Sequence, residues 1–192
     1  MFAENIFKEY LNRFVGLSDE EFYTLTRIGV LRKIKKKAHL VKTGEHCTSV
    51  CFFCNGYFRF YHNDVSGNEI TSDFYFSPGF ITSYTSFVTG EPSFVNVQAM
   101  ETMEILEFKR NDIYRLYTEY ANFDRLGRLL AEMVAITSEK HLFLILNQTA
   151  ETRYRNLLKE YPGFIKTIPL QYIASYLGIT QETLSRMRKS TG

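Results

Sequence analysis

The chain has 192 residues, of which 45% are apolar and 23% charged. That composition excludes a disordered chain and supplies enough apolar surface for one large domain or two small ones. The net charge is only +2, yet from residue 150 onward seven basic side chains oppose three acidic ones, which leaves −2 on the first 149 residues and points to a polyanionic partner at the basic end.

The first residues, MFAENIFKEYLNRF, read as an amphipathic helix over 2–14 and not as a signal peptide. No segment approaches the ~20 apolar residues of a membrane span, so a cytoplasmic location without a membrane partner is the expectation. Ser18 and Glu21 have the spacing of a capping box, which predicts a second helix over 19–28.

From residue 30 to residue 108 the pattern changes to short strands broken by turns. Aromatic residues make up 16% of the chain, 17 Phe and 13 Tyr without a Trp, and they favour strands. Arg32 and the KIKKK run beginning at Lys33 read as a charged edge strand, where lysines block strand-to-strand aggregation. SVCFFC and YFRFYH are joined by Asn55-Gly56, a hairpin signal because both residues tolerate positive φ. Turns at residues 43–45, 64–68, 77–79 and 89–92 separate further strands, among them EITSDFYF, VNVQAM and EILEF. Seven or eight short strands in about 80 residues predict a roll, barrel or sandwich. Cys47, Cys51 and Cys54 fall in this apolar stretch, and residues three apart on a strand point to opposite faces. They are read as buried structural cysteines and not as a metal site.

NDIYRLYTEY predicts a helix, and a long helix follows over about 123–147. Its apolar residues spread over more than one face, so it has to bury two sides. The expected second side is the same helix of another copy, met through Leu126, Leu130, Met133 and Thr137. Thr149 suits an N-cap for the next helix. Pro162-Gly163 ends that helix, and residues 164–167 are expected as an extended link.

The chain closes with IPLQYIASYLGITQETLSRMRKSTG, which predicts a helix-turn-helix over 170–189. Pro169 suits a helix start. Ala174 is small where a second helix would cross, and Gly178 permits a left-handed turn. Thr180 caps the second helix, whose Leu184 and Met187 face inward. Gln181, Glu182, Ser185, Arg186, Arg188 and Lys189 then point outward. Arg pairs with guanine, Gln with adenine, and Glu accepts from cytosine. Thr180, Ser185, Arg188 and Lys189 also suit phosphates. Double-stranded DNA is the expected partner.

The order β-roll, long helix, helix-turn-helix resembles the Crp/Fnr superfamily of bacterial regulators, and VKTGE, NGYFRFY, SFVTGEPSF and IASYLGITQETLSR look like segments of its compact members. The resemblance implies an α+β fold in three parts: a cyclic-nucleotide-binding-like antiparallel β-roll (1–120), a dimerisation helix (121–148) and a helix-turn-helix domain (149–192). It also implies a homodimeric transcription regulator, not an enzyme, with an effector pocket at Ile81, Thr82, Ser83, Tyr84, Ser93 and Phe94. Members that bind cyclic nucleotides carry a Glu for the ribose and an Arg for the phosphate. The matching positions here are Thr82-Ser83 and Ser93-Phe94, and no Lys or Arg occurs between Arg59 and Lys109. A buried cyclic phosphate without a cation faces a large desolvation cost, so tight cyclic AMP binding is not expected; the effector is an unknown small molecule or none, and no cofactor is expected. The wing hairpin of longer members is not seen after the recognition helix, which implies modest DNA affinity. Haem ligation by His39, His46, His62 or His141 and an iron–sulfur site at the three cysteines are set aside. Two alternatives are a cupin-like metal-dependent enzyme using His39, His46 and His62, although no HxH motif occurs, and a ligand-sensing module without DNA binding.

Overall fold

The computed structural model describes residues 3–191. It divides into two compact units. The first is Met1–His62 with Asp73–Glu132, and the second is Asn63–Ser72 with Met133–Gly192.

In the first unit, α1 (Glu4–Asn12) and α2 (Asp19–Ile28) precede the strands. The Ser18–Glu21 capping box is formed in both directions, as its spacing predicts. Among the described residues eight strands follow, with the end of β4 and the start of β5 falling in the second unit: β1 (Val30–Ile34), β2 (His39–Val41), β3 (Ser49–Phe53), β4 (Tyr57–Asn63), β5 (Glu69–Phe76), β6 (Gly79–Ile81), β7 (Asn96–Ala99) and β8 (Met103–Lys109). They form two four-stranded sheets, ordered β1-β8-β3-β6 and β2-β7-β4-β5. A short helix, α3 (Tyr84–Thr89), interrupts the strands where the sequence showed only breaks. Helix α4 (Arg110–Glu119) and the start of α5 (Ala121–Asn147) complete the unit.

The sheets explain the uninterrupted apolar run SVCFFC. Cys51 and Phe53 join Val41, Phe58, Val97 and Ile105 in one core, to which both sheets contribute. Phe52 points the other way and joins Phe7, Leu11, Phe22, Leu25, Phe108, Leu116, Phe123 and Leu126 in a second core beneath the helices. A strand buried on both faces carries no polar alternation. Cys54 packs against the helical core, away from Cys51, and all three cysteines are free thiols. Burial pushes the Cys51 thiol up to about 12, so it stays protonated and inert at neutral pH. Close approach of α4 and α5 needs Gly127, where a Cβ would fall 2.6 Å from the Tyr117 ring.

One local expectation changes in the folded chain. Asn55-Gly56 is a tight turn with Gly56 at φ +75°, but it is not a hairpin. It carries the chain from β3 in one sheet to β4 in the other. The β4–β5 hairpin turns instead at residues 64–68, where the Asp64 carboxylate accepts from the backbone N–H groups of Ser66 and Asn68 at 2.8 and 2.9 Å.

Strand β1 lies at a sheet edge, as the charged run predicts, but only Arg32 and Lys33 belong to it, while Lys35, Lys36 and Lys37 fall in the turn that follows. It is tied to β8 by Glu107, which accepts from the Ser49 hydroxyl at 2.7 Å and meets Arg32 and Lys109, each at 3.2 Å. Burial opposes ionisation of this carboxyl, but Ser49, Lys109 and Arg32 outweigh it and hold the group below the usual carboxylate range. A depressed folded-state value contributes stability above the unfolded value, about 4.3 for Glu, and that stability is lost as pH falls through the folded value. Glu107→Gln is therefore expected to cost about 1–3 kcal/mol at neutral pH. It should also flatten the acid limb when urea midpoints are followed from about pH 7 to about pH 3.

The second unit contains the hairpin tip, the rest of α5, α6 (Ala150–Glu160), α7 (Pro162–Ile165), α8 (Leu170–Leu177) and α9 (Gln181–Thr191). The Thr149 hydroxyl caps α6 by accepting from the Thr152 N–H. The link expected to be extended at residues 164–167 begins instead within the helical turn α7, because Pro162 sits well in a first helical turn. The division between units falls inside α5, after Glu132.

Candidate nucleic-acid interface

The α8–α9 pair is built from local rules. Pro169 is the residue before α8, with φ −56° and ψ 134°. Ile173, Ala174 and Leu177 are its buried positions. Gly178 ends α8 at φ +68°, ψ 33°, a conformation that penalises any Cβ. The N–H groups of Gly178 and Ile179 donate to the carbonyls of Ser175 and Ala174 at 3.1 and 3.0 Å, which closes the helix end. Thr180 then accepts from the Thr183 N–H at 3.2 Å, the N-cap that its position predicts.

On α9, Leu184 is fully buried and faces the helix pair. Thr180, Gln181, Glu182, Ser185, Arg186, Arg188 and Lys189 are all exposed. The Glu182 carboxyl is held below the usual carboxylate range by its own backbone N–H, then by the Thr180 hydroxyl and Arg186. It is an anionic acceptor at neutral pH. Arg186 donates to the Thr183 hydroxyl at 3.2 Å, which turns its guanidinium toward the helix N-terminus, where Gln181 and Glu182 stand. Arg188 and Lys189 occupy the last turn, where cations also favour the helix dipole.

Arg153 is a structural residue that the sequence did not announce. Its guanidinium donates to the carbonyls of Gln148 and Leu177 at 2.9 and 2.8 Å. It thereby joins the end of α8 to the residue following α5, satisfying two carbonyls that helix ends leave open. Nothing in the spacing of TRYRNLL marks Arg153 over Arg155, which pairs with Glu151.

In the first unit two of the expected effector positions, Ser83 and Ser93, come together. Ser83, which precedes α3, and Ser93 have their hydroxyls 2.8 Å apart, and both residues are buried. Ser93 also donates to the Val95 carbonyl at 2.7 Å. Thr82 donates to the Ser49 carbonyl at 2.9 Å and lies 3.2 Å from Cys47 Sγ. Ile81 is buried, whereas Tyr84 and Phe94 are 41% and 63% exposed. Ser83 and Ser93 thus serve each other, while Thr82 is hydrogen-bonded to Ser49 and Cys47. Arg59 lies opposite Phe58 and Phe60 in the strand alternation, with its guanidinium 4.3 Å from the Tyr61 ring centroid. Arg110 reaches α3, donating to the Val88 carbonyl at 2.8 Å. It lies beyond the cation-free stretch of sequence, so only folding reveals it there.

The expected dimer contacts divide. Leu126 is 6% exposed and lies in its own unit's core. It has little surface to offer a second chain, and Leu130 is partly buried against the same core. Met133 and Thr137 are exposed, and so are Ile136, Leu142, Phe143, Ile145 and Leu146 farther along α5.

The histidines of the metal reading do not converge. His39 Nε2 is 2.9 Å from the Tyr61 hydroxyl and His46 Nδ1 is 2.8 Å from the Gly90 carbonyl. Among the described residues no group of three or more His, Cys, Asp or Glu could hold a metal ion, and no helix is long and apolar enough to cross a membrane.

Comparison with known proteins agrees with this geometry. The family model for the cyclic nucleotide-binding domain matches residues 31–120. No curated protein matches the sequence. Among solved structures, FixK2 from Bradyrhizobium japonicum is similar with a TM-score of 0.71 and 18% identity, over 85% of this chain and 84% of that one. A regulator assigned to the Crp/Fnr family from Eubacterium rectale has a TM-score of 0.67 and 18% identity, over 91% and 83%. The catabolite activator protein of Thermus thermophilus has a TM-score of 0.57 and 19% identity, over 92% and 84%. Residues 31–120 thus match the cyclic nucleotide-binding domain, and the two-sheet roll, the long helix and the terminal helix pair share the fold of these solved structures.

Proposed function

We propose that this protein is a homodimeric transcription regulator that reads double-stranded DNA with α9. The observation that carries the reading is the face of that helix. Seven residues able to contact bases or phosphates are exposed at its N-cap and along it, around a fully buried Leu184, with Glu182, Ser185, Arg186 and Lys189 turned farthest from that side chain. Arg186, Glu182 and Gln181 supply base contacts, and Thr180, Ser185, Arg188 and Lys189 supply phosphate contacts. Three Crp/Fnr-like structural neighbours support the reading through shared fold.

Dimerisation through α5 belongs to the same proposal. Met133, Ile136 and Phe143 are 40%, 52% and 61% exposed, and with Lys140 they follow the 3-4 spacing of a helix seam. A soluble helix leaving such a row uncovered needs a partner, and the same seam of a second copy is self-complementary. The effector, where one exists, is neutral rather than a cyclic phosphate, because Ser83 and Ser93 stand where a ribose acceptor and a phosphate cation would be needed.

Fluorescence anisotropy with duplexes from the protein's own upstream region, across a salt series, tests the reading. Affinity is expected to fall linearly in logarithmic salt with a slope of about −0.9 per neutralised phosphate, and cyclic AMP is expected to leave it unchanged. Arg186→Ala should cost about 1–3 kcal/mol and relax specificity at one base position. Lys189→Ala should weaken binding uniformly and reduce the salt slope by about 1. Sequence-independent binding, or none at any salt, would sink the regulator reading in favour of a sensing module without DNA binding.

A further inference from the structure

Ser175 sits on α8, three residues before Gly178. Its hydroxyl accepts from the Thr71 N–H at 2.8 Å and donates to the Glu69 carbonyl at 3.2 Å. Thr71 and Glu69 belong to β5, at the tip of the β4–β5 hairpin. Residues two apart on a strand direct their N–H and C=O groups to the same edge, and β5 is the outer strand of its sheet. The serine hydroxyl therefore takes the place that a neighbouring strand would fill, serving one donor and one acceptor at once.

Both sides of this contact are built firmly. On the hairpin side, Asp64 gathers the turn. Besides its two backbone donors, its carboxylate accepts from Asn68 Nδ2 at 3.1 Å. Its carbonyl accepts from the Gly67 N–H at 3.0 Å, and Asn63 Nδ2 donates to the Gly67 carbonyl at 3.1 Å. On the helix side, the next residue, Tyr176, has its ring 5.8 Å from the His141 ring of α5, and Arg153 holds the Leu177 carbonyl. Three consecutive residues of α8 are thus anchored to three different elements of the unit. Gly178 then passes that placement on to α9 through a two-bond helix end.

We infer that Ser175 is a positioning residue for DNA recognition: by bonding the backbone of the hairpin tip it fixes α8, and with it the reading helix α9, before DNA arrives. The inference rests on the DNA-reading role proposed above for α9. A helix pair free to reorient loses that freedom on docking, and the loss is subtracted from affinity. A helix pair already held loses less. Ser175 itself touches no DNA in this account, so its removal lowers affinity without altering which bases are preferred.

The test uses the full-length protein and an upstream-region duplex that the wild type binds. In Ser175→Ala the Thr71 amide is expected to exchange its hydrogen faster, and DNA affinity to fall about five-fold or more with unchanged ratios among single-base variants of the duplex. Ser175→Thr keeps the hydroxyl and should restore both. Asp64→Ala loosens the hairpin from the other side and should also weaken binding. The double variant Ser175→Ala, Asp64→Ala should be no weaker than the poorer single variant, because both remove one linkage. Wild-type affinity in Ser175→Ala, tighter binding, altered base preference or additive losses would each overturn the positioning role while leaving DNA reading intact. A wild type that binds no duplex would overturn the DNA reading itself, and this role with it.

Discussion

Phe7→Ala is expected to destabilise the first unit by about 3–5 kcal/mol, the range for removing a large aromatic side chain from a core. Phe7 is fully buried. Its ring lies 4.6 Å from that of Phe52, 5.9 Å from Phe22, 6.0 Å from Phe108 and 6.1 Å from Phe80. Those four rings come from α2, β3, β8 and the short strand β6. One side chain on a nine-residue helix thus closes the helical face of a whole sheet, and a void there has no flexible neighbour to collapse into it. Urea unfolding followed by far-ultraviolet circular dichroism measures the loss. Tyr23→Ala, at a position 65% exposed, is the control and should stay within about 0.5 kcal/mol of the wild type. Equal effects at the two positions would show that α1 is not seated in this core.

The second large effect concerns assembly. Ile136→Glu combined with Phe143→Glu places two carboxylates on the α5 seam and, in a two-fold dimer, sets like charges against each other. The expected product is a folded monomer, because both positions are exposed in the single chain and neither belongs to a core. A protein holding two half-sites at once gains from effective concentration, and losing the second contact costs about a hundred-fold or more in affinity. Sedimentation velocity reads the mass, and the anisotropy titration reads the affinity. A variant that remains dimeric removes α5 as the interface. A monomer that binds as tightly as the wild type removes the need for two half-sites.

Much of the helical part was legible because helix ends obey short-range rules. Ser18 and Glu21, Thr149 and Thr180 each satisfy backbone N–H groups within three residues, so the signal lies inside a four-residue window. Gly178 is similar, since the left-handed turn it allows depends on its own missing Cβ. On α9 the outward placing of Glu182, Ser185, Arg186 and Lys189 follows from 3.6-residue periodicity once Leu184 faces inward. Arg32 and Lys33 mark β1 as an edge strand whatever its partner is.

What stayed hidden has a common physical origin. Asn55-Gly56 specifies a tight turn, but whether the next strand pairs with the last or changes sheet depends on β7 and β8, some 40–50 residues downstream. Leu126 has the same seam spacing as Met133. Only the helical core claims it, because α1, α4 and β8 approach that end of α5. Ser83 and Ser93 looked like missing ligand groups until their hydroxyls were found bonded to each other. Nothing local marks Ser175, because its partners stand more than 100 residues away in the chain. The order of elements, the helix caps and the turn are written into local sequence, as are the residue types along α9, since backbone sterics and local hydrogen bonds act within a few residues. Tertiary structure alone decided which strands share a sheet, which side of α5 is left open and what holds α8 in place, because those outcomes depend on contacts between distant segments that no local pattern encodes.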